Sequence, residues 1–326
     1  MNASSTFFKL FPPPAFLTMP HAGLDISDDG IRCIRYDGSG HARRVGLAAA
    51  LDFPVGLVDS GDVKDAVEFA SLIKDFALKH RIGRVRVSIP EEKVYLFETE
   101  VSGTDTRSIT QNIEFKLEEN VPLSAADALF YYALMPGGPV GGPFRASVSV
   151  VPTSYIQRYT EVLKGAGLTP VAFEVSPKSA ARAVISAGSP DTRVIVHAMR
   201  RKVGIYVVSG GVVCFTSTVA AVGTPGEPPT AEALQLRSRE IARVGSYRIS
   251  REPDRPIKEA IAVGRGADLF DDACRSSGFK LPLPLRVGDV WQNSLDLERS
   301  LPPISRTDSF DYVIAAGLAF DLGDHI

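Results

Sequence analysis

One pattern constrains this chain more than any other: strand, turn, strand, turn, strand is written twice, well apart. The first copy is GLDISDDGIRCIRYDGSGHARRVGLAAALDF (residues 23–53) and the second VIVHAMRRKVGIYVVSGGVVCFTSTVAAVG (residues 194–223). In the first, apolar residues alternate at Ile31, Cys33 and around Leu47, while DDG and DGSG mark the turns. Leu24-Asp25-Ile26 aligns with Val196-His197-Ala198, SDDG with MRRK, and DGSG with SGG. Two such units imply duplicated lobes. A chain of 326 residues is too long for one small core and suits two lobes.

The remaining segments read around those units. GDVKDAVEFASLIKDFALKH predicts a helix capped by Asp62, with Val63, Ala66, Val67, Ala70, Ile73 and Phe76 or Ala77 at helical spacing. VRVSIP and KVYLFETEV read as strands. RSITQNIEFKLEENVPL reads as a helix with Ile109, Ile113, Leu117 and Val121 on one side. ALFYYALM and ASVSVVP are strands joined by PGGPVGGP, which lacks the Lys and Ser/Thr of a phosphate-cradling loop. A helix capped by Thr153, a strand TPVAFEV and a helix capped by Ser176 with Pro177 at its first position follow. After the second unit come a linker TPGEPPT, a helix EALQLRSREIARVGSYRI with a basic outer face, and a strand–Gly turn–helix in KEAIAVGRGADLFDDACRSSG. Trp291, in an irregular stretch, reads as a packing residue over a sheet edge. DYVIAAGLAFDL closes the chain as a helix.

Charge and cysteine usage exclude several classes. The formal net charge is −2, so no strong field favours nucleic acid or an anionic membrane. Cys33, Cys214 and Cys274 are scattered, without CxxC spacing, which argues against a disulfide framework or a zinc site and fits a reducing compartment. No apolar run reaches the roughly 18–20 residues that span a bilayer. The apolar start is broken by Pro12, Pro13 and Pro14 and has no clear cleavage site. It reads as an arm packed on the body, or as a contact for a membrane-bound partner through Phe7, Phe8, Phe11 and Phe16. HExxH, GxSxG and P-loop motifs are absent, and the five histidines show no ligand spacing.

FPPPAFLTMPHAGLDIS, VRVSIPEEKVYLFETE, IEFKLEENVPLS, AGLTPVAFEV, VSGGVVCFTSTV and PPISRTDSFDYVIAAGLAF occur in this order. Together they give the chain, over nearly its whole length, a sequence that resembles the PilM family of type IV pilus assembly proteins. That family lies in the actin and Hsp70-like ATPase superfamily, beside the cell-division protein FtsA. The resemblance implies an α/β, actin-like (ribonuclease H-like) two-lobed fold with an inserted FtsA/PilM-type subdomain and a shortened second lobe. It divides the chain into an N-terminal arm (1–22), a first lobe (23–91) completed by a C-terminal helix (308–326), an inserted α/β subdomain (92–187) and a truncated second lobe (191–307). It also implies a cytoplasmic protein, peripheral to the inner membrane, that binds the N-terminal tail of a PilN-like membrane protein and works with pilus motor and platform proteins. The cytoplasmic part of the secretion protein GspL has a similar fold.

In that superfamily two hairpins wrap the ATP phosphates, and an Asp at the start of each helps to place the metal. Such a site needs acidic ligands for Mg²⁺ and tight turns for close backbone approach. Carried over, the resemblance places Asp25, Ser27, Asp28 and Gly30 at the first hairpin and Gly264 and Gly266 on the adenine side, as a vestigial nucleotide site. The second hairpin departs from the family: His197, Met199 and Val203 stand where it carries an Asp, a Gly and a Thr or Ser. Arg200, Arg201 and Lys202 follow, either as an anion contact or as a solvated turn. Arg265 replaces a second consecutive Gly, and the stretch between Val222 and Ala231 is too short for the family's small extra subdomain. The expectation is a scaffold with no cofactor, no metal and no catalytic residue. The alternative is an active FtsA/PilM-type ATPase that binds ATP and Mg²⁺ to gate assembly.

Overall fold

Both strand–turn–strand–turn–strand units open five-stranded sheets. In chain order the elements of the first half are β1 (Ala22–Ser27), β2 (Gly30–Asp37), β3 (Arg44–Asp52), the short pair β4 (Val58–Asp59) and β5 (Asp62–Val63), α1 (Ala66–His80), β6 (Arg84–Ile89), β7 (Tyr95–Val101), α2 (Thr106–Asn120), β8 (Ala128–Leu134), β9 (Phe144–Pro152), α3 (Thr153–Gly165), β10 (Thr169–Val175) and α4 (Ser176–Val184). The second half contains β11 (Thr192–Ala198), β12 (Lys202–Ser209), β13 (Val212–Ala220), α5 (Ala231–Arg251), β14 (Ile257–Gly264), α6 (Ala267–Ser276), β15 (Leu285–Val287), α7 (Arg306–Ser309) and α8 (Val313–Ala319). The computed structural model describes residues 20–38, 42–103, 105–136, 143–222 and 227–320. The apolar arm with Phe7, Phe8, Phe11 and Phe16 lies outside the described residues.

The first sheet has the order β10-β6-β1-β2-β3 and the second β13-β12-β11-β14-β15. In each, an antiparallel hairpin is flanked by a parallel neighbour: β1 with β2 and β6, β11 with β12 and β14. The repeat in the sequence is therefore a repeat of topology. A third sheet, β7-β9-β8, carries its own core of Val101, Ile109, Ile113, Leu117, Ala146, Val148 and Val150 against α2.

The inserted unit expected over 92–187 is narrower than that. Only β7, α2, β8 and β9 form the separate layer. β10 returns to pair with β6 in the first sheet, and Tyr155, Tyr159 and Leu163 of α3 belong to the first lobe's core. β10 must satisfy its backbone on a free sheet edge, and β6 offers one. The insert is also tied to the second lobe. Arg145 and Arg248 share Glu98 and Glu252 in a ring of four charges joining β7 and β9 to the end of α5, and the Ser147 hydroxyl donates to the Val213 carbonyl at 2.6 Å.

Local expectations fail at three helix starts. Asp65, not Asp62, caps α1, accepting from the amides of Val67 and Glu68. Asp62 lies in β5 and pairs with Lys93 at 2.7 Å. The buried stripe of α1 is accordingly Phe69, Ile73, Phe76 and Ala77, and Val67 is exposed. Thr153 and Ser176 are first helical residues and make no cap bond to their helices; the Ser176 hydroxyl donates instead to the Ile89 carbonyl, joining α4 to β6. The outer face of α5 does present Arg239, Arg243 and Arg251, but Arg248 turns inward into the charged ring and Arg237 stacks over Phe270. Trp291 is buried in the second lobe's core beyond β15, as a packing residue. All three cysteines are free and buried. Among the described residues no helix is long and apolar enough to cross a membrane.

α8, sequence VIAAGLA, is buried on every side and lies against β1, β2 and α4. Small residues bring it to backbone contact: a Cβ on Gly23 would stand 2.0 Å from the Ala315 carbonyl oxygen, and one on Gly317 would stand 1.9 Å from that of Ser179. This reverses the usual rule. Glycine inside a helix ordinarily costs about 1 kcal/mol relative to alanine, so Gly317→Ala on propensity alone would stabilise. We expect a lowered melting temperature instead, with a cost of at least about 1–3 kcal/mol typical of overpacking. A calorimetric scan showing an unchanged or raised melting temperature would contradict the close packing.

Candidate functional site

The two hairpin turns meet across a cleft between the sheets. It is lined by Asp25, Ser27, Asp28, Asp29 and Arg32 from the first hairpin, His197, Met199, Arg201 and Lys202 from the second, and Glu91, Glu92, Gly264, Arg265 and Asp311 around them. The sequence-predicted residues Asp25, Ser27, Asp28 and Gly264 are thus brought together. Gly30 stands behind its turn at φ 142°, and Gly266 heads α6 at φ 76°. Gly264 has φ 83°, and a Cβ there would lie 2.2 Å from the Ala198 carbonyl oxygen, so only glycine fits between β11 and β14 at this point.

Asp25 is held in β1 opposite Arg32 of β2. Burial pushes its carboxyl up to about 6, against the lowering effects of a Ser88 hydrogen bond and of Arg32. Ser27 serves its own turn: its hydroxyl donates to the Gly30 carbonyl and accepts from the Asp29 amide. Asp28 accepts the amides of Ser60 at 2.9 Å and Gly61 at 3.0 Å and receives Lys202 Nζ at 2.6 Å. Burial works against the Asp28 carboxylate, but Lys202 and the two amides outweigh it and hold its pKa below the usual range. Asp29 accepts the backbone amide of Arg200 at 2.8 Å.

The second hairpin contributes cations, not carboxylates. Lys202 also reaches Glu92 at 2.8 Å and the Ser60 hydroxyl at 3.1 Å. Burial disfavours its ammonium, yet Asp28 and Glu92 raise its pKa overall. Arg200 pairs with Asp52 at 3.2 Å. Arg32 pairs with Asp52 at 2.7 Å and Asp311 at 3.3 Å, and Arg265 with Asp311 at 2.6 Å. The basic run is therefore not a solvated turn: Arg200 and Lys202 are engaged across the cleft.

His197 occupies the position opposite Asp25. Burial lowers its pKa to about 4, so the ring is neutral at pH 7. Its Nδ1 lies 3.1 Å from the Tyr206 hydroxyl, which donates to Glu91 at 2.8 Å. The chain closes when Nδ1–H donates to the Tyr206 hydroxyl oxygen. Glu91 also accepts from Thr218, and burial first, then the neighbouring Glu92, pushes its carboxyl up to about 7. Among the described residues no cluster of His, Cys, Asp and Glu has metal-binding geometry. Sequence reasoning missed Asp29, Glu91, Tyr206 and Asp311. Asp29 stands in the DDG turn, Glu91 in the string VRVSIPEEK and Asp311 in PPISRTDSFDYVIAAGLAF, but nothing local marks any of them as facing the other lobe.

The cleft mouth is open, but the enclosed space is about 60 Å³. At roughly 10–15 Å³ per enclosed water, that admits a handful of solvent molecules.

No protein-family profile and no curated protein matches this sequence. Solved structures do match. A chain of the PilM-PilN type IV pilus biogenesis complex aligns over 92% of this chain and 97% of its own length, with TM-score 0.73 and 16% identity. The cytoplasmic domain of EpsL, an inner-membrane component of the Vibrio cholerae type II secretion system, aligns over 93% and 95% with TM-score 0.48 and 12% identity. A Bacteroides thetaiotaomicron protein with an actin-like ATPase fold aligns over 86% and 93% with TM-score 0.47 and 10% identity. What is shared at such identities is the fold, and this chain has that of the PilM-PilN structure.

Glu91 gives a pH-dependent test of the site's electrostatics. A carboxyl whose folded pKa, about 7, lies above its unfolded value of 4.5 holds its proton more tightly in the native state. It therefore lowers stability above pH 7, and the penalty is relieved as pH falls towards 4.5. His197, with a folded pKa near 4 against 6.5 unfolded, acts oppositely and costs stability as pH falls below 6.5. Comparing Glu91→Gln with wild type cancels the histidine. We expect the variant's relative stability to be greater at pH 8 than at pH 5.5, by on the order of 2 kcal/mol at about 1.4 kcal/mol per unit. Denaturant melts at the two pH values measure it; a pH-independent difference would rule out a buried, proton-holding Glu91.

Proposed function

We propose that this actin-like chain is a nucleotide-independent scaffold of a type IV pilus inner-membrane platform. In this reading it lies in the cytoplasm, held to the inner membrane by the N-terminal tail of a PilN-like membrane protein, and contacts pilus motor and platform proteins. The observation that carries the scaffold reading is the occupied second hairpin. Its Arg200 amide and Lys202 ammonium, the donors best placed for a phosphate, already serve Asp29, Asp28 and Glu92. The neutral His197 and the small enclosed volume support the same reading. An active ATPase is the second reading, favoured by the convergence of Asp25, Ser27, Asp28 and Gly264 on one cleft.

A place for an extended tail is offered between the first lobe and the insert. β10 is an edge of the first sheet and β8 an edge of the third. Leu129 and Tyr131 are exposed on β8, Val171 is exposed on β10, and Lys178 at the start of α4 stacks 3.9 Å over the Tyr131 ring. An edge strand beside apolar side chains suits a peptide that adds main-chain hydrogen bonds and buries alternate residues. Because a flexible tail loses entropy on ordering, modest affinity is expected.

Two measurements decide. Isothermal calorimetry should find no magnesium-dependent ATP binding, and purified protein no ATPase activity; tight, magnesium-dependent binding would favour the second reading. Hydrogen exchange with a PilN-like N-terminal peptide should protect amides in the first lobe and insert, above all on the edge strands Thr169–Val175 and Ala128–Leu134, and leave 195–290 unchanged. Protection confined to the second lobe, or no binding, would sink the proposed partner.

A further inference from the structure

We infer that the interlobe cleft is latched shut by the chain's own side chains, with carboxylates of the first hairpin standing in for the anion that the second hairpin turn could otherwise hold. The inference concerns the lobes alone and does not depend on the identity of any partner.

A ligand that bridges a two-lobed cleft shifts it towards the closed state through its contacts with both sides. Here the bridging groups are covalently part of the protein. Lys202 is the hub, taking Asp28 and Ser60 from the first lobe and Glu92 from the stalk of the insert. Asp29 takes the Arg200 amide from the side where an anion would enter. Asp52 receives Arg200, and Asp311 receives Arg265.

Scattered surface pairs contribute only about 0–1 kcal/mol each, so a count of ion pairs would be weak support. Three features set this group apart. The Lys202, Asp28 and Glu92 side chains are only 19%, 12% and 22% exposed, which limits screening by solvent. Asp28 is positioned by the Ser60 and Gly61 amides, so its carboxylate is oriented independently of Lys202 and little entropy is lost on pairing. One lysine serves three partners from separate elements, so the contacts form or break together as the lobes part.

The test is amide hydrogen exchange on the full chain without nucleotide or peptide, for wild type, Lys202→Met and Asp29→Ala. Lys202→Met keeps the aliphatic length and removes the charge. We expect it to speed exchange about tenfold or more at Ser60, Gly61 and residues 199–201, while amides inside β1 and β12 stay protected, as for a local opening. In wild type, about 1 M salt should move the same amides in the same direction but by less than the substitution does, because partly buried pairs are screened much less than exposed ones. Salt should change Lys202→Met little. Asp29→Ala should release the Arg200 amide, and it reports on the latch if Lys202→Met does not fold. Unchanged exchange in a folded variant, or wild-type protection that appears only on adding magnesium and ATP, would overturn the latch. The peptide experiment above stands or falls separately, since no peptide is present here.

Discussion

Buried charge at the junction of the lobes is the constraint around which this molecule is organised. Asp25, Arg32 and Glu91 are buried, and Asp28 half-buried, along the cleft. A desolvated charge needs a partner or must neutralise, and both solutions are used. Asp28 is answered by Lys202 and two amides and stays ionised, whereas Asp25 and Glu91 are shifted towards their neutral forms. Neutral His197, through Tyr206, completes the Glu91 side without adding charge. The cleft is thereby crossed by contacts that need nothing from solution.

The scaffold that holds those groups in place depends on close approach. α8 reaches β1 and α4 at distances that exclude even a Cβ at Gly23 and Gly317. Its residues join one continuous core with β11, β12 and β14 of the second lobe. The insert adds a second tie through the ring of Arg145, Glu98, Arg248 and Glu252. A two-lobed protein joined at the cleft, through α8 and through the insert has few ways to hinge freely.

Much of the strand architecture is legible in the residues. DDG and DGSG mark the turns around β2, and the alignment of Asp25 with His197 proves to be a correspondence between two hairpins facing one cleft. Helix phases are less legible. The expected stripe of α1 mixed two faces because its N-terminal residues 62 and 63 form a short strand first. Thr153 and Ser176 resemble caps, but the chain enters those helices straight from strands, which leaves their side chains to other work. The limits of the insert were hidden because membership of a sheet depends on which edge is free, not on local pattern.

The sequence by itself determined the duplicated hairpins and the absence of a carboxylate at 197, because turn residues and side-chain chemistry are local, whereas the need for glycine at 264 comes from the approach of Ala198 on the neighbouring strand. Only the tertiary structure decided what the basic run at 200–202 meets. Asp28, Asp29, Asp52 and Glu92 are more than a hundred residues away in the chain. Whether a lysine is solvated or locked between carboxylates depends on distance and desolvation, and both are set by how two separately formed sheets are brought face to face.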